Sequence, residues 1–243
     1  MKVVVIIPAA GLGTRMFSAP SSKGKKPAAS KQFAELAGTP ILIHTLRKFA
    51  TSPPIAEMFI ALRANEIAGF RVLLEKEKDL GIKKIQAVEG GQHRQQSVAN
   101  ALQAISAAPD DIVLVHDAVR PFVTEQIIHD VIEAAQKYGA AIAGIPAVDT
   151  VKKVERTAEG ALITATIPRE RVVMAQTPQG FRYDVLKKAF DEATADGFTG
   201  TDEASLLERC GHEVAVVMGS PRNIKITTPA DMELAAFYLR SAS

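Results

Sequence analysis

The chain has 243 residues, 47% of them apolar and 23% charged, with 29 basic side chains against 27 acidic ones. A net charge of +2 is too balanced for a general nucleic-acid or membrane-surface binder, and no apolar run approaches the roughly 20 residues of a membrane span. The single cysteine, Cys210, excludes an internal disulfide, fits a reducing cytoplasm, and reads as a small buried apolar residue.

The first predicted element is a strand over residues 3–7, an apolar run rich in β-branched side chains. It empties into Ala9-Ala10-Gly11-Leu12-Gly13-Thr14-Arg15, a turn of small residues ending on an arginine. Small residues let backbone approach a ligand, successive N–H groups in such a turn form an anion nest, and Arg15 adds a forked permanent charge. A phosphate chain is the simplest ligand. The plain alternative is a tight βα turn with Arg15 solvated. A dinucleotide site fits less well, because Met16 stands where a third glycine belongs. The second predicted strand also runs into Arg63-Ala64-Asn65, with no acid for a ribose. Residues 17–30, rich in Ser, Pro, Gly and Lys, have the composition of a mobile loop.

Further strands are predicted over 57–62, 83–88, 111–116, 140–145, 172–176 and 213–218. Helices are predicted over 39–50, 65–79, 94–107, 124–138, 183–195, 202–210 and 229–240. Thr124 before Glu125, and Thr228-Pro229-Ala230-Asp231, are helix-start signals. This alternation predicts an α/β fold, a parallel sheet with helices on both faces. It breaks at 147–171, where Val151–Val154 and Ala161–Ile167 flank Thr157–Gly160. That segment reads as a β-hairpin projecting from the sheet, too small for its own core and in need of a partner such as another subunit. No repeat and no linker divides the chain, so one domain over 1–243 is expected.

Open parallel sheets bind ligands at the carboxyl ends of their strands. The polar stretches fall there: Gly11 to Arg15, Gly90 to Ser97, His116 to Pro121, Pro146 to Lys152, Gln176 to Gln179, and later Arg222 to Thr227. Together they describe a cationic, glycine-lined pocket around one carboxylate, Asp117, a natural ligand for Mg²⁺. Arg15, Lys31 and Lys225 would spread positive charge over a phosphorus centre in phosphoryl or nucleotidyl transfer. No Ser–His or Cys–His nucleophile stands out, and the five histidines show no metal-ligand spacing. A phosphate nucleophile needs neither, being largely ionised at pH 7 with a second pKa of about 6.

The chain resembles the nucleotidyltransferase superfamily, and within it the 2-C-methyl-D-erythritol 4-phosphate cytidylyltransferases of the non-mevalonate isoprenoid pathway. Over essentially its whole length the matching stretches are Pro8 to Met16, Lys31-Gln-Phe33, Gly90-Gly91-x-x-Arg94-x-x-Ser97, Val115 to Pro121, Asp149-Thr150-Val-Lys152, Thr177-Pro-Gln179, Thr201 to Ser205 and Asn223 to Thr227. The resemblance implies a Rossmann-like, mostly parallel sheet with a dimerisation arm at 147–171, and a homodimer. It implies CTP and a polyol phosphate as substrates and a divalent cation, Mg²⁺, on Asp117. Arg15 and Lys31 would stabilise the transition state at the α-phosphorus. Ala9, Ala10, Gly11, Gly13, Gly91, Gln92, Arg94, Ser97 and Ala118 would contact the nucleotide. Asp117, Arg120, Thr150, Thr177, Thr201 and Lys225 would line the acceptor site, and Arg169 would reach from the arm into the neighbouring subunit to hold the acceptor phosphate.

Two departures stand out. The interval from Arg15 to Lys31 is longer than usual and carries Lys23, Lys25 and Lys26. Gln92 stands where relatives often have an acid. The rival readings are a ribitol 5-phosphate cytidylyltransferase, which shares the early motifs, and a non-catalytic nucleotide-binding module on the same fold.

Overall fold

The computed structural model of the chain describes residues 1–11, 30–80 and 84–241. Gly13, Arg15 and nearly all of the expected loop at 17–30 lie outside these residues. The strands are β1 (Val3–Pro8), β2 (Glu35–Leu36), β3 (Thr39–Pro40), β4 (Ile55–Leu62), β5 (Lys84–Glu89), β6 (Ile112–Val115), β7 (Ala140–Pro146), β8 (Val151–Thr157), β9 (Gly160–Ile167), β10 (Val173–Arg182) and β11 (Ala215–Met218). The helices are α1 (Ile41–Ala50), α2 (Ala64–Lys76), α3 (Arg94–Ala104), α4 (Glu125–Tyr138), α5 (Tyr183–Ala195), α6 (Glu203–Arg209) and α7 (Pro229–Arg240).

Seven strands form the main sheet in the order β11-β7-β10-β6-β1-β4-β5. All run parallel except β10, which is antiparallel to both β6 and β7. The alternation of β1 shows why its run is apolar throughout. Val3, Val5 and Ile7 pack with α1 and α4 on one face, while Val4 and Ile6 pack with α3, α5 and α6 on the other. A strand covered on both faces has no side for polar residues. A third cluster joins α7 to Leu36, Val119 and Ile226.

The predicted helix starts are found. Thr124 Oγ1 accepts Ile127 N–H, and Thr228 forms a reciprocal capping box with Asp231, with Pro229 at the first helical position. The helix α4 ends on Gly139 at φ +85°, the left-handed turn that suits glycine. Two expectations shift, and the expected hairpin is present. Residues 39–40 belong to a two-strand ribbon, so α1 begins at Ile41. The strand expected at 172–176 continues to Arg182 and runs antiparallel. The hairpin β8–β9 pairs only with itself, as a sheet of two strands, and every residue of β9 is exposed.

Going along the chain, β1, β4 and β5 add outward on one side of the sheet. Then β6 returns to the other side of β1. Such a reversal opens a crevice at the carboxyl ends of the two strands that part there. It falls between Ala9 and His116.

Candidate active site

The wall from β1 is Ala9, Ala10 and Gly11. Ala9 N–H donates to the Ala61 carbonyl at 2.8 Å, Arg63 Nε donates to the Ala10 carbonyl at 3.1 Å, and the Gln32 amide donates to the Ala9 carbonyl. The facing wall is Gly90-Gly91 and the first turn of α3. A Cβ on Gly90 would lie 2.5 Å from Ala10 Cβ, so only glycine lets the two walls meet. Ser97 Oγ accepts Gly91 N–H at 3.0 Å and donates to the His93 carbonyl at 3.1 Å. The side chain of Gln96 holds Gln92 N–H at 2.9 Å. A helix N-terminus so placed favours an anion.

Asp117 sits at the centre, 7% exposed beyond the end of β6. Its Oδ2 faces Lys225 Nζ at 2.9 Å and Arg120 Nε at 3.3 Å, and its Oδ1 faces Arg94 Nε at 3.4 Å. Burial pushes its pKa up, but Lys225, Arg94 and Arg120 together outweigh burial and hold the carboxyl far below the usual range. Behind Arg94 lies Glu203, buried, with Oε1 2.7 Å from Arg94 Nη1. Burial raises the Glu203 pKa against the pull of Arg94.

The backbone of Asp117 is held as firmly. Its N–H donates to Thr177 Oγ1 at 3.1 Å, and that hydroxyl lies 3.1 Å from His116 Nδ1. The other ring nitrogen of His116, Nε2, is 3.0 Å from the Arg120 carbonyl, which can only accept. Nε2 therefore carries a proton, and because burial keeps the ring neutral, Nδ1 accepts the Thr177 proton. Asn223 Nδ2 donates to the Thr177 carbonyl at 2.8 Å and ties the Lys225 segment to β10.

Two pockets adjoin along this cluster. The first, about 640 Å³, is lined by Ala9, Ala10, Gly11, Lys31, Gly91, Gln92, Ser97 and Ala118. The second, about 500 Å³, is lined by Arg120, Gln176, Thr177, Gln179, Thr201 and Asp202. Arg94, Asp117 and Lys225 line both and form the partition. Most residues expected at the site thus converge there. Thr150 and Arg169 line neither pocket; both are exposed, and Arg169 Nη1 donates to the Val148 carbonyl of its own chain at 2.8 Å. The stretch 146–152 leads into the arm instead of the crevice.

The expected Mg²⁺ on Asp117 does not fit these residues. A hard dication needs oxygens free of competing cations. Both oxygens of Asp117 already face Arg94, Arg120 and Lys225, so a bound dication would stand against three positive charges in a buried place. Asp117 is the counterion of the cationic cluster. Elsewhere, His129 gathers with Asp130 and Glu133 on α4, which the histidine spacing did not anticipate; these residues line neither pocket.

The roles of Glu203, Gln179, Asn223 and His116 were not read from the sequence, although all four stand inside the quoted motifs. Gln179 accepts Ala204 N–H at 3.2 Å and donates to Asp202 at 2.8 Å, so it anchors the start of α6. A polar residue closing an apolar strand, as His116 does, was the available signal.

The family model described as 2-C-methyl-D-erythritol 4-phosphate cytidylyltransferase matches residues 3–241. The relative of that name from Acidobacterium capsulatum is 58% identical over 243 residues, covering 100% of this chain and 99% of its own. Its counterpart from Solibacter usitatus is 54% identical, covering 99% and 96%. Among solved structures, the 4-diphosphocytidyl-2C-methyl-D-erythritol synthase of Anaerococcus prevotii superposes with a TM-score of 0.80 at 30% identity, covering 98% of this chain and 96% of that one. The Francisella tularensis 2-C-methyl-D-erythritol 4-phosphate cytidylyltransferase gives 0.77 at 35%, covering 98% and 99%. With two adjoining pockets at the sheet reversal and this agreement over its whole length, the chain belongs to the 2-C-methyl-D-erythritol 4-phosphate cytidylyltransferase family.

Proposed function

We propose that the chain transfers CMP from CTP to 2-C-methyl-D-erythritol 4-phosphate and releases pyrophosphate. The observation that carries this reading is the partition: two pockets share Arg94, Asp117 and Lys225, so two phosphate-bearing substrates would meet across one charged wall. CTP takes the first pocket, with its phosphates against the small residues Ala9 to Gly13, Gly91 and Ser97 and the nucleotide contacts completed by Gln92, Arg94 and Ala118. The acceptor takes the second, against Arg120, Thr177, Thr201 and Lys225. An acceptor phosphate oxygen forms a bond to the CTP α-phosphorus as the α–β anhydride bond breaks, and pyrophosphate carries off the electron pair. Arg15 and Lys31 stabilise the charge that builds on the α-phosphoryl oxygens, and Lys225 steers the attacking phosphate. A divalent cation such as Mg²⁺ would supply charge neutralisation for the triphosphate, and none of the described residues is assigned to it.

Arg169 serves the acceptor phosphate of a second copy of the chain, and Thr150 is a contact of the acceptor site. What supports a homodimer is the arm, where Val154, Leu162 and Ile163 are 46%, 65% and 64% exposed. Nearby strands leave Val173, Met174, Val216 and Met218 exposed as well. For location, the lone Cys210 fits the cytoplasm.

Pyrophosphate release from CTP, measured separately with methylerythritol phosphate and with ribitol 5-phosphate, tests the assignment. Faster release with the former is expected. Faster release with ribitol 5-phosphate would transfer the chain to that acceptor, and CTP binding without release from either would make it a binding module.

A further inference from the structure

From the first turn of α3, Arg94 reaches Glu203 at the start of α6 and Gln95 reaches the loop carrying Thr201; neither Glu203 nor Gln95 has a part in the chemistry assigned above. Glu203, 1% exposed at the start of α6, grips Arg94 with Oε1 and leaves Oε2 buried with no hydrogen-bond partner among the described residues. The same guanidinium turns Nε to Asp117, so a carboxylate on α6 fixes the arginine of the partition. One residue further on, Gln95 accepts Gly200 N–H at 2.9 Å and donates to the Phe198 carbonyl at 3.0 Å. It thereby supplies partners to backbone groups of a loop that belongs to no strand or helix. The loop presses close to α6: a Cβ on Gly200 would sit 2.3 Å from Ser205 Oγ.

We propose that Glu203 and Gln95 are positioning residues of the acceptor pocket: Gln95, on the helix whose first turn also lines the nucleotide pocket, holds the Thr201 loop, and Glu203, on α6, holds the Arg94–Asp117 wall. Neither lines either pocket. Glu203 acts through Arg94, and Gln95 acts through the loop backbone. This inference rests on the acceptor reading of the second pocket.

Steady-state kinetics with each substrate varied in turn, alongside melting temperature, provide the test. Gln95→Ala alters a partly exposed side chain and keeps the fold. Its KM for methylerythritol phosphate is expected to rise about 3- to 10-fold, the worth of one or two uncharged hydrogen bonds, with the KM for CTP unchanged. Gln95→Glu keeps an acceptor for Gly200 but sets a carboxylate oxygen against the Phe198 carbonyl, so its acceptor KM is expected to rise at least as far. Glu203→Gln keeps the shape, weakens the charge-assisted bond to Arg94, and raises the acceptor KM by at least as much, with a rise in the CTP KM as well because Arg94 lines both pockets. Equal rises in both KM values in Gln95→Ala, or a lower melting temperature with both KM values unchanged in Gln95→Ala and Glu203→Gln, would overturn the proposal. No turnover by the wild-type chain would overturn it together with the function above; normal wild-type turnover with unaltered acceptor KM in these variants overturns it alone.

Discussion

Lys31 stands at the mouth of the nucleotide pocket, on a single 3₁₀ turn, Lys31–Phe33, whose Gln32 is tied to Ala9. That tie places the lysine beside the turn where the triphosphate would lie. Lys31→Ala, and equally Arg15→Ala, is expected to slow the chemical step by on the order of 10²–10³, as loss of one preorganised charge-stabilising group does. Single-turnover rates at saturating CTP check this, and an unchanged rate would remove the residue from the transition state. His116 makes a different prediction, on stability. Burial pushes its pKa from 6.5 down to about 4, against the hydrogen bond to the Arg120 carbonyl. As pH falls, the unfolded chain takes up a proton near 6.5 that the folded chain refuses until about 4, so the folded state loses stability across that window. At pH 5 the loss reaches about 2 kcal/mol relative to pH 7. Urea midpoints at the two pH values should separate in the wild-type chain and draw together in His116→Gln; equal separations would place the pH dependence elsewhere. Asp117 adds no pH dependence between pH 7 and pH 5, because its carboxyl is ionised in both the folded and the unfolded chain there; its stabilisation is lost only at lower pH.

The arm is the element whose residues most lack partners. Val154 pairs directly across the hairpin with Ile163, and both side chains are exposed. Replacing both by Asp is expected to leave the main sheet folded, because β8 and β9 pair only with each other. Sedimentation should then show a monomer, and turnover should fall on the order of 10- to 100-fold as each acceptor pocket loses a charged phosphate contact. A stable dimer carrying both changes would rule out the arm as the interface. The same element explains which parts of the fold were readable from the residues alone. Strands buried on both faces announce themselves by apolar runs, and the capped helices α4 and α7 by their first residues. The direction of β10 is not a local property, yet a clue was present. No helix lies between the strands predicted at 140–145 and 172–176, and a return without a crossover helix is antiparallel. The polar stretch Gln176 to Gln179 read as a loop after a strand because its side chains serve the site and not the core. Glycines and cations of the pocket could be read because their chemistry is local. The burial of Glu203 could not, because Arg94, 109 positions away in the chain, is what makes a buried carboxylate tolerable there.

At the scale of the whole molecule, the proposed dimer makes a prediction about which chain's Arg169 serves which pocket. In the single chain, Arg169 bonds to its own Val148 carbonyl and lines neither pocket, whereas Lys225 lies in the partition itself. If each acceptor pocket draws Arg169 from its partner, Arg169→Ala and Lys225→Ala are each strongly impaired as homodimers but fail in different subunits. In a mixed dimer, the Arg169→Ala chain keeps its own Lys225 and receives an intact Arg169 from the Lys225→Ala chain. That pocket is whole, while the other lacks both residues. Random pairing of equal amounts makes half the dimers mixed, each with one working site of two, so co-expression should restore about a quarter of the wild-type turnover. Tagging the two chains differently and purifying the mixed dimer should raise this to about half per dimer, with KM values near those of the wild type. If Arg169 serves its own chain, both pockets of the mixed dimer are broken and turnover stays at the level of the parents.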